Sequence, residues 1–355
     1  MIRIDQIMAG LAEGDAISHE AVILRDIFRK WGFPSDLFAS PTHAAPGMAG
    51  QYRPLSEYSA TPRDVCLHHF GIASEAQSVF AGSAARRILV YHNITPAEFF
   101  RGYDDALSAR LAQARAQLPE LARRCSALWC ASAYNAAELA ALGLAGVSVL
   151  PLPLSRATLD LTPDIAVSAR FAGAPLKTIL FVGRVAPNKR IEDLIQAFAW
   201  YNRAIDQFSR LVIVGSFHGV PRYMAMLRML IGDLDLPNVC FEGFASPEGL
   251  AAYYRSSDVF VSASAHEGYG LPLVEAMYAD VPVVARAAGG VPEAADGAGV
   301  LYDGLEAPEL AELIHRVIGD AALREEVLVS QRLRIKRALA RDLEGEVRQL
   351  MSGLL

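Results

Sequence analysis

The C-terminal half of the chain alternates short apolar, β-branched runs with stretches in which apolar residues recur every three or four positions. The short runs are typical of buried strands, and the longer period is typical of amphipathic helices. Strands are predicted at Thr178–Gly183, Leu211–Gly215, Val239–Gly243, Asp258–Ser262, Val281–Ala285 and Val300–Tyr302. This alternation predicts an α/β domain with a doubly wound parallel sheet.

The N-terminal half alternates in the same way, but less evenly. Its candidate strands are Met1–Ile7, Val65–His69, Arg87–His92, Ala127–Ala131 and Val147–Leu150. A helix is predicted from Ser18 to Lys30, and residues 40–62 are predicted to form a long surface loop because they are rich in Pro, Ala, Ser and Gly. The two halves therefore predict two Rossmann-like domains, with an irregular linker at Pro151–Pro175.

Composition and charge narrow the class of protein. The chain has 355 residues, enough for two domains, and its 52% of apolar residues argues against disorder. The net charge of −6 argues against a general nucleic-acid binder. No apolar run approaches the ~20 residues that span a bilayer, and the N-terminal segment lacks the apolar stretch of a secretion signal. The four cysteines have no C-x-x-C spacing, which favours a reducing cytoplasm.

The segment from His266 to Glu275 carries the most specific chemistry. Its sequence is HEGYGLPLVE, and it follows the predicted strand that ends at Ser262. Pro272 suits the first turn of a helix, so Glu267 is expected in a glycine-rich loop and Glu275 in the first helical turns. A helix N-terminus favours phosphate, and neighbouring carboxylates accept hydrogen bonds from sugar hydroxyls. The arrangement suits a sugar nucleotide.

This segment, with its Glu-x7-Glu spacing, resembles the signature of retaining glycosyltransferases of family 4. The resemblance implies the GT-B fold, in which two facing Rossmann-like domains enclose a cleft. It implies an acceptor-binding domain at residues 1–165, a nucleotide-sugar domain at 166–333, and a C-terminal helix at 334–355 that returns to the first domain. It also implies that Glu275 binds the ribose, that Glu267 lies near the transferred sugar, and that backbone groups of Gly268, Tyr269, Gly270 and Leu271 hold the diphosphate or the sugar.

A second motif follows the predicted strand that ends at Gly183. Gly183 allows close approach of backbone to a ligand, and Arg184 and Lys189 can point from one loop toward one anion. This segment resembles the family's G-R-x-x-x-x-K element, whose two cations hold the donor diphosphate. Fixed cations at that position stabilise the charge that grows on the leaving group.

Other positions are weaker candidates. Gly289 and Gly290 begin a segment that resembles the family's G-G-x-x-E turn, for which a plain strand-to-helix turn is the alternative. Phe244 either borders the nucleotide base or packs. In the N-terminal half, Gly14 and Asp15 resemble a loop that closes over donor and acceptor. His92 ends a predicted strand that faces the expected cleft, and it resembles a family histidine near the donor sugar.

The expected partners are a nucleotide-sugar donor and a glycan, lipid-linked or small-molecule acceptor, with no nucleic acid. No cofactor or essential metal is expected, because no His, Cys and carboxylate cluster has metal-ligand spacing. A basic helical stretch predicts either peripheral contact with an anionic inner membrane or a solvated helix face; it contains Arg332, Arg334, Lys336, Arg337 and Arg341. Polysaccharide or glycolipid assembly is the expected context. A GT-B sugar-nucleotide epimerase and an inactive nucleotide-sugar-binding protein are the alternatives.

Overall fold

The computed structural model describes residues 2–154, 156–173 and 176–355. Its contacts divide the chain into two compact units. The first contains the residues up to Glu98 together with Asp105–Pro153 and Asp342–Leu355. The second contains Phe99–Asp104 and Leu154–Arg341. The boundary at Pro153 precedes the predicted one at residue 165.

Among the described residues, the first unit holds a seven-stranded sheet in which every strand pairs in parallel. The strands β1 to β7 are Ile4–Met8, Leu37–Ala39, Arg53–Pro54, Val65–Phe70, Arg86–Tyr91, Ala127–Cys130 and Val147–Val149. Their spatial order is β3-β2-β1-β4-β5-β6-β7, which contains the Rossmann order. The order reverses direction between β1 and β4.

The described part of the second unit holds a six-stranded parallel sheet. The strands β8 to β13 are Lys177–Val182, Ser209–Val214, Val239–Gly243, Val259–Ser262, Val283–Arg286 and Val300–Tyr302. Their order, β10-β9-β8-β11-β12-β13, repeats the Rossmann pattern with its reversal between β8 and β11. The predicted class of doubly wound α/β sheets is confirmed.

Helices connect the strands of both sheets. In the described part of the chain, α1 to α14 span Ala16–Lys30, Ala76–Ala81, Asp105–Arg123, Ala133–Ala141, Arg156–Leu159, Ile165–Phe171, Ile191–Trp200, Pro221–Asp233, Pro247–Arg255, Leu271–Tyr278, Val291–Ala295, Ala307–Gly319, Ala321–Leu339 and Leu343–Met351. Side-chain caps fix several of their starts. Asp15 accepts from the Ser18 N–H at α1, and Asp320 accepts from two N–H groups at α13.

The last helix belongs to the first unit. Val347 and Met351 of α14 are fully buried, and they pack in one core cluster with Ile4, Phe28 and Trp129. The segment 334–355 was predicted as one C-terminal helix, but the structure has two helices there. Its first part continues α13 to Leu339, and α14 begins only at Leu343.

Several predicted elements need correction. Strands β2 and β3 were not predicted, because runs of three and two residues carry too little periodicity. The predicted loop at 40–62 contains β3 and short 3₁₀ turns. The predicted linker contains α5 and α6, while its Ser155, Ala174 and Pro175, and Met1 of the first predicted strand, lie outside the described residues.

Candidate active site

The two motif segments of the second unit follow the strands on either side of its reversal point. Strand β8 pairs directly with β11 through Ile179 and Val259. The segment from Gly183 to Arg190 leaves the carboxyl end of β8, and the segment from Ala263 to Gly270 leaves the carboxyl end of β11. Ligands of open α/β sheets bind at this edge, where the strand order reverses. The fold therefore brings together the two motifs that the sequence singled out.

Glycine is required where the β8 segment passes its neighbour. A Cβ atom on Gly215, which follows β9, would lie 2.0 Å from the Gly183 carbonyl oxygen. Gly183 itself has a φ of +151°, in the region that favours glycine. The close approach of these two backbones sets the path of the segment that carries Arg184.

Arg184 and Lys189 have different surroundings. Arg184 is exposed, and it makes no ion pair with any residue that the structure describes. Neighbouring protein groups partly desolvate its guanidinium although the residue as a whole is exposed; this desolvation lowers the pKa, and the Asp104 carboxylate opposes part of that shift. Lys189 donates from Nζ to Glu267 Oε1 at 2.6 Å, and both side chains are 17% exposed. The predicted diphosphate cation and the predicted sugar-side carboxylate are thus an ion pair.

Backbone contacts hold the two segments in register. The Ala265 N–H donates to the Asn188 carbonyl oxygen at 2.9 Å, and the Asn188 side-chain amide donates to the His266 carbonyl oxygen at 3.2 Å. Asn188 is buried. Because these bonds join the residues next to Lys189 and Glu267, the ion pair rests on a fixed backbone.

The paired glycines after β12 pack against the Glu267 segment. The Gly290 N–H donates to the Glu267 carbonyl oxygen at 2.9 Å. A Cβ atom on Gly289 would lie 2.2 Å from that oxygen, and one on Gly290 would lie 2.3 Å from the Gly268 carbonyl oxygen. Only glycine fits at such distances, so this turn supports the segment from Glu267 to Gly270.

Helix α10 begins where this segment ends. Gly270 is left-handed, with φ at +101°, and Leu271 and Pro272 form the first turn. The side chain of Tyr269 is buried and points away from the segment, because its hydroxyl accepts from Arg334 of α13 at 3.2 Å. Arg334 also donates to the Ala294 carbonyl oxygen of α11 at 3.0 Å. The glycine segment is therefore anchored by a side chain of α13.

Glu275 lies one turn into α10. The Tyr254 hydroxyl donates to Glu275 Oε2 at 3.0 Å and also lies 3.1 Å from the Pro272 carbonyl oxygen. Burial raises the pKa of the Glu275 carboxyl, and the hydrogen bond from Tyr254 opposes that shift. The carboxylate is held in one orientation with one oxygen engaged.

Phe244 is 58% exposed, so it does not pack in the core. It follows β10, beside the segment after β9 that carries Phe217 and His218, whose rings lie 5.8 Å apart at 28°. A Cβ atom on Gly243 would lie 3.7 Å from the Phe217 ring. These aromatic side chains form an accessible group at the carboxyl edge of the second sheet.

In the first unit, Asp15 has a structural role at the start of α1. Its Oδ2 accepts from the Ser18 N–H at 2.8 Å and from the Ser18 hydroxyl at 2.7 Å. Gly14 has a φ of +70°, and a Cβ atom on Gly10 would lie 2.3 Å from the His43 carbonyl oxygen. Gly14 is thus needed for its left-handed backbone, and Gly10 is needed for its close approach to the His43 carbonyl.

His92 lies in a buried polar cluster that the sequence did not reveal. Its Nε2 is 2.8 Å from His69 Nδ1 and 3.5 Å from Glu20 Oε2. His69 Nε2 is 2.8 Å from Gln6 Oε1. Sequence spacing gave no sign of this cluster, because its members come from β1, α1, β4 and the end of β5. Glu20, His69 and His92 are also the residue types that bind metals.

The basic stretch of α13 is largely neutralised by neighbours. Arg334 is buried, Arg332 donates to both carboxylate oxygens of Asp280, and Arg337 donates to Asp296. These contacts make the stretch less cationic than its sequence suggests. No helix in the described part of the chain combines the length and apolarity needed to cross a bilayer.

The fold defines the class of protein: two Rossmann-like units of the GT-B type. Solved structures with this fold match the whole chain. Sucrose-phosphate synthase from Thermosynechococcus elongatus matches with a TM-score of 0.74 at 19% identity, covering 100% of this chain and 99% of that one. Anabaena HepE, solved in complex with UDP-glucose, matches with a TM-score of 0.73 at 22% identity over 100% of this chain and 99% of its own.

The match to a family model lies within the second unit. Residues 171–330 match the family model of glycosyl transferases group 1. D-inositol 3-phosphate glycosyltransferase of Corynebacterium jeikeium is 34% identical over 44% of this chain, and that of Thermobifida fusca is 36% identical over 45%. The match spans 39% of the length of each of these curated relatives.

Proposed function

We propose that this chain is a retaining glycosyltransferase that moves a sugar from a nucleotide-diphosphate sugar to a hydroxyl acceptor. The observation that carries the proposal is the pairing of Lys189 with Glu267 at the reversal point of a Rossmann sheet, with Arg184 on the same segment after β8 as Lys189. The family match over 171–330 and the names of the relatives support the same class of reaction. HepE, which shares the fold, was solved with UDP-glucose.

Each side chain has a proposed role. Arg184 and Lys189 bind the diphosphate and stabilise the charge that develops as the bond from sugar C1 to phosphate oxygen breaks. Because an ammonium group has three N–H donors, Lys189 can keep its bond to Glu267 while it binds a phosphate oxygen. We propose that Glu267, held by this bond, lies beside the transferred sugar and that Glu275 accepts hydrogen bonds from the ribose.

We propose that the acceptor oxygen attacks C1 from the face that the diphosphate leaves. The acceptor proton passes to the departing diphosphate. Because the new bond forms on the face where the old bond breaks, the product retains the original configuration. The Gly268–Leu271 backbone and the start of α10 supply N–H groups toward the phosphates. Gly14 and Asp15 belong to the proposed acceptor loop, and Phe244 to the proposed base contact. His92 is proposed to bind a substrate hydroxyl. No metal is assigned a step.

The acceptor classes are a glycan, a lipid-linked saccharide or a small metabolite, with polysaccharide or glycolipid assembly as the proposed context.

Peripheral membrane contact requires the cations of α13 that remain accessible, among which Lys336 is exposed. Flotation with anionic and with neutral liposomes at low salt tests this contact. Absence of binding to anionic liposomes would leave the solvated helix face as the remaining interpretation.

The reaction is tested by thermal-shift screening against UDP, GDP and ADP and their sugars, followed by incubation with each donor that binds. Transfer predicts that release of nucleotide accelerates when a suitable acceptor is added, that NMR of the product finds the anomeric configuration of the donor, and that EDTA leaves the rate unchanged. Interconversion of sugars without acceptor would identify an epimerase. Stabilisation by ligand without turnover against any acceptor would identify an inactive binding protein.

A further inference from the structure

The rings of His69 and His92 meet edge to edge inside the first unit. Their planes differ by 13°, their centroids are 5.1 Å apart, and His69 Nδ1 is 2.8 Å from His92 Nε2. This is the geometry of two nearly coplanar rings joined by one hydrogen bond through facing nitrogens. The side chain of His69 is fully buried and that of His92 is 3% exposed. The direction of the shared proton is therefore fixed by the other groups that His69 contacts.

Gln6 fixes that direction. Its side-chain Nε2 donates to the Ala21 carbonyl oxygen at 2.9 Å, which orients the amide and turns its Oε1 toward His69. The amide oxygen can only accept, so His69 Nε2 carries a proton. In a neutral His69 ring, Nδ1 is then an acceptor, and His92 Nε2 must be the donor.

This arrangement of protons leaves one acceptor nitrogen in the series Gln6, His69 and His92, and that nitrogen belongs to His92. A neutral His92 that donates from Nε2 has Nδ1 as its acceptor atom. Nδ1 has no protein partner among the residues that the structure describes. Burial lowers the pKa of both imidazoles, which favours the neutral rings.

A metal ion fits this arrangement less well than a proton. The lone pair of an imidazole nitrogen lies in the ring plane, and the facing nitrogens of His69 and His92 point at each other. Metal ligation requires both lone pairs to converge on a third point. The carboxylate of Glu20 lies to the side, 3.5 Å from one nitrogen and 3.7 Å from the other.

We propose that Gln6 and His69 hold His92 in the Nε2–H tautomer, so that its Nδ1 accepts a hydrogen bond from a substrate hydroxyl. The two buried side chains are positioning residues, and His92 is the group that contacts the substrate. The identity of that hydroxyl as part of a sugar donor or an acceptor rests on the proposed function, whereas the tautomer does not.

The tautomer is tested by NMR of the full chain labelled with ¹⁵N-histidine at neutral pH, with the His92 signals assigned by their loss in His92→Gln. We expect a protonated Nε2 and an unprotonated Nδ1. In His69→Leu the acceptor is gone, so both tautomers should appear. In His69→Asn the amide oxygen can replace Nδ1 as acceptor and should restore the single tautomer. A His92 ring protonated at Nδ1, doubly protonated or bound to metal would overturn the proposal.

His68 provides the matched control. It is the neighbouring buried histidine on β4, its Nδ1 lies 2.9 Å from the Ile7 carbonyl oxygen, and its ring packs on Phe70 and Phe80. His68→Gln should leave the His92 tautomer unchanged. A tautomer change in His68→Gln equal to that in His69→Leu would contradict a specific role for His69.

Binding measurements distinguish the source of the hydroxyl. If it belongs to the donor sugar, His69→Leu should weaken binding of the nucleotide sugar by roughly tenfold and leave binding of the bare nucleotide unchanged. If it belongs to the acceptor, the acceptor KM should rise by roughly the same factor. Neither change, in a protein that still binds nucleotide, would overturn the substrate contact. Failure to bind any nucleotide would refute the proposed function while the NMR result still decides the tautomer.

Discussion

The candidate site of the second unit and the histidine cluster of the first are built in opposite ways. In the second unit, the important groups come from two continuous segments, each beginning at the end of a strand. Backbone contacts hold them, as between Gly290 and Glu267. In the first unit, Gln6 lies in the middle of β1, His69 near the end of β4 and His92 just after β5, and side-chain hydrogen bonds link the three groups. The site of the second unit is therefore formed by two loops, and the cluster of the first unit by a series of side-chain hydrogen bonds.

The difference has a physical origin. A loop that must pass within contact distance of another backbone needs glycine at defined positions, and those glycines mark the sequence. A series of side-chain hydrogen bonds requires only that donors and acceptors lie within hydrogen-bond distance. Residues far apart in the sequence can meet this requirement, so no local sequence pattern marks it. His69→Leu tests the hydrogen bonds of the first unit, and further single substitutions separate the charged groups of the second unit from the contacts that hold them.

The largest effect is expected for the two cations. Arg184→Ala and Lys189→Ala should each lower kcat by about 10²–10³-fold, because each removes a fixed charge that stabilises the leaving diphosphate. Steady-state kinetics with a donor that binds measures this. Lys177→Gln is the control, since Lys177 lies at the opposite end of β8 and pairs with Asp258. Its kcat should stay within twofold of the original, and equal losses in all three variants would remove the site assignment.

The backbone support of the same site is tested by Gly290→Ala. Gly290 has a φ of −81°, so the added Cβ brings no dihedral strain, but it would lie 2.3 Å from the Gly268 carbonyl oxygen. We expect a loss of about 1–3 kcal/mol in the free energy of unfolding, together with weaker donor binding. Denaturant unfolding and calorimetry measure the two effects.

Gly232→Ala is the matched control for this substitution. Gly232 lies in α8, and its added Cβ would meet no atom within 4 Å. Alanine there should stabilise the protein by about 0.5–1 kcal/mol, because it lowers the entropy of the unfolded chain. Equal effects at positions 232 and 290 would contradict the close contact at Gly290.

The sequence predicted each strand that the structure describes in the second unit but missed β2 and β3 of the first, whose runs of three and two residues carry too little periodicity. Val239–Gly243 and Val300–Tyr302 were predicted with the bounds observed, because short apolar strands between clear helices leave little ambiguity. The Glu267 segment was placed correctly as a loop before a helix. The ion pair of Lys189 with Glu267 and the contact of Arg334 with Tyr269 could not be predicted, since nothing local fixes where a long side chain ends.

A smaller effect is expected for Glu275→Gln. The amide keeps the size of the side chain but weakens its acceptance of hydrogen bonds from ribose hydroxyls. We expect roughly tenfold weaker donor binding, the value of one charged hydrogen bond. Isothermal titration with the nucleotide sugar measures this, and unchanged affinity would contradict the ribose role.

The same substitution should also change the pH dependence of stability. Burial raises the pKa of Glu275 in the folded state. Such a group stabilises the fold fully below its unfolded pKa, and that contribution is lost as the pH rises through the folded pKa. Glu275→Gln cannot lose a proton, so at neutral pH its second unit should melt at a higher temperature than the original. Melting curves at acid and neutral pH test this, and a lower midpoint at neutral pH would contradict the raised pKa.

The smallest effect on binding is expected from Arg334, which acts on the site only through the Tyr269 hydroxyl and the Ala294 carbonyl. Arg334→Lys keeps the charge but loses the forked geometry, so the Glu267 segment should loosen and donor affinity should fall by about threefold. Arg337→Ala is the control, because its ion pair with Asp296 is solvent-exposed and contributes little. If both variants bind donor like the original chain, α13 does not order the site, and the backbone contacts of Gly289 and Gly290 alone account for its shape.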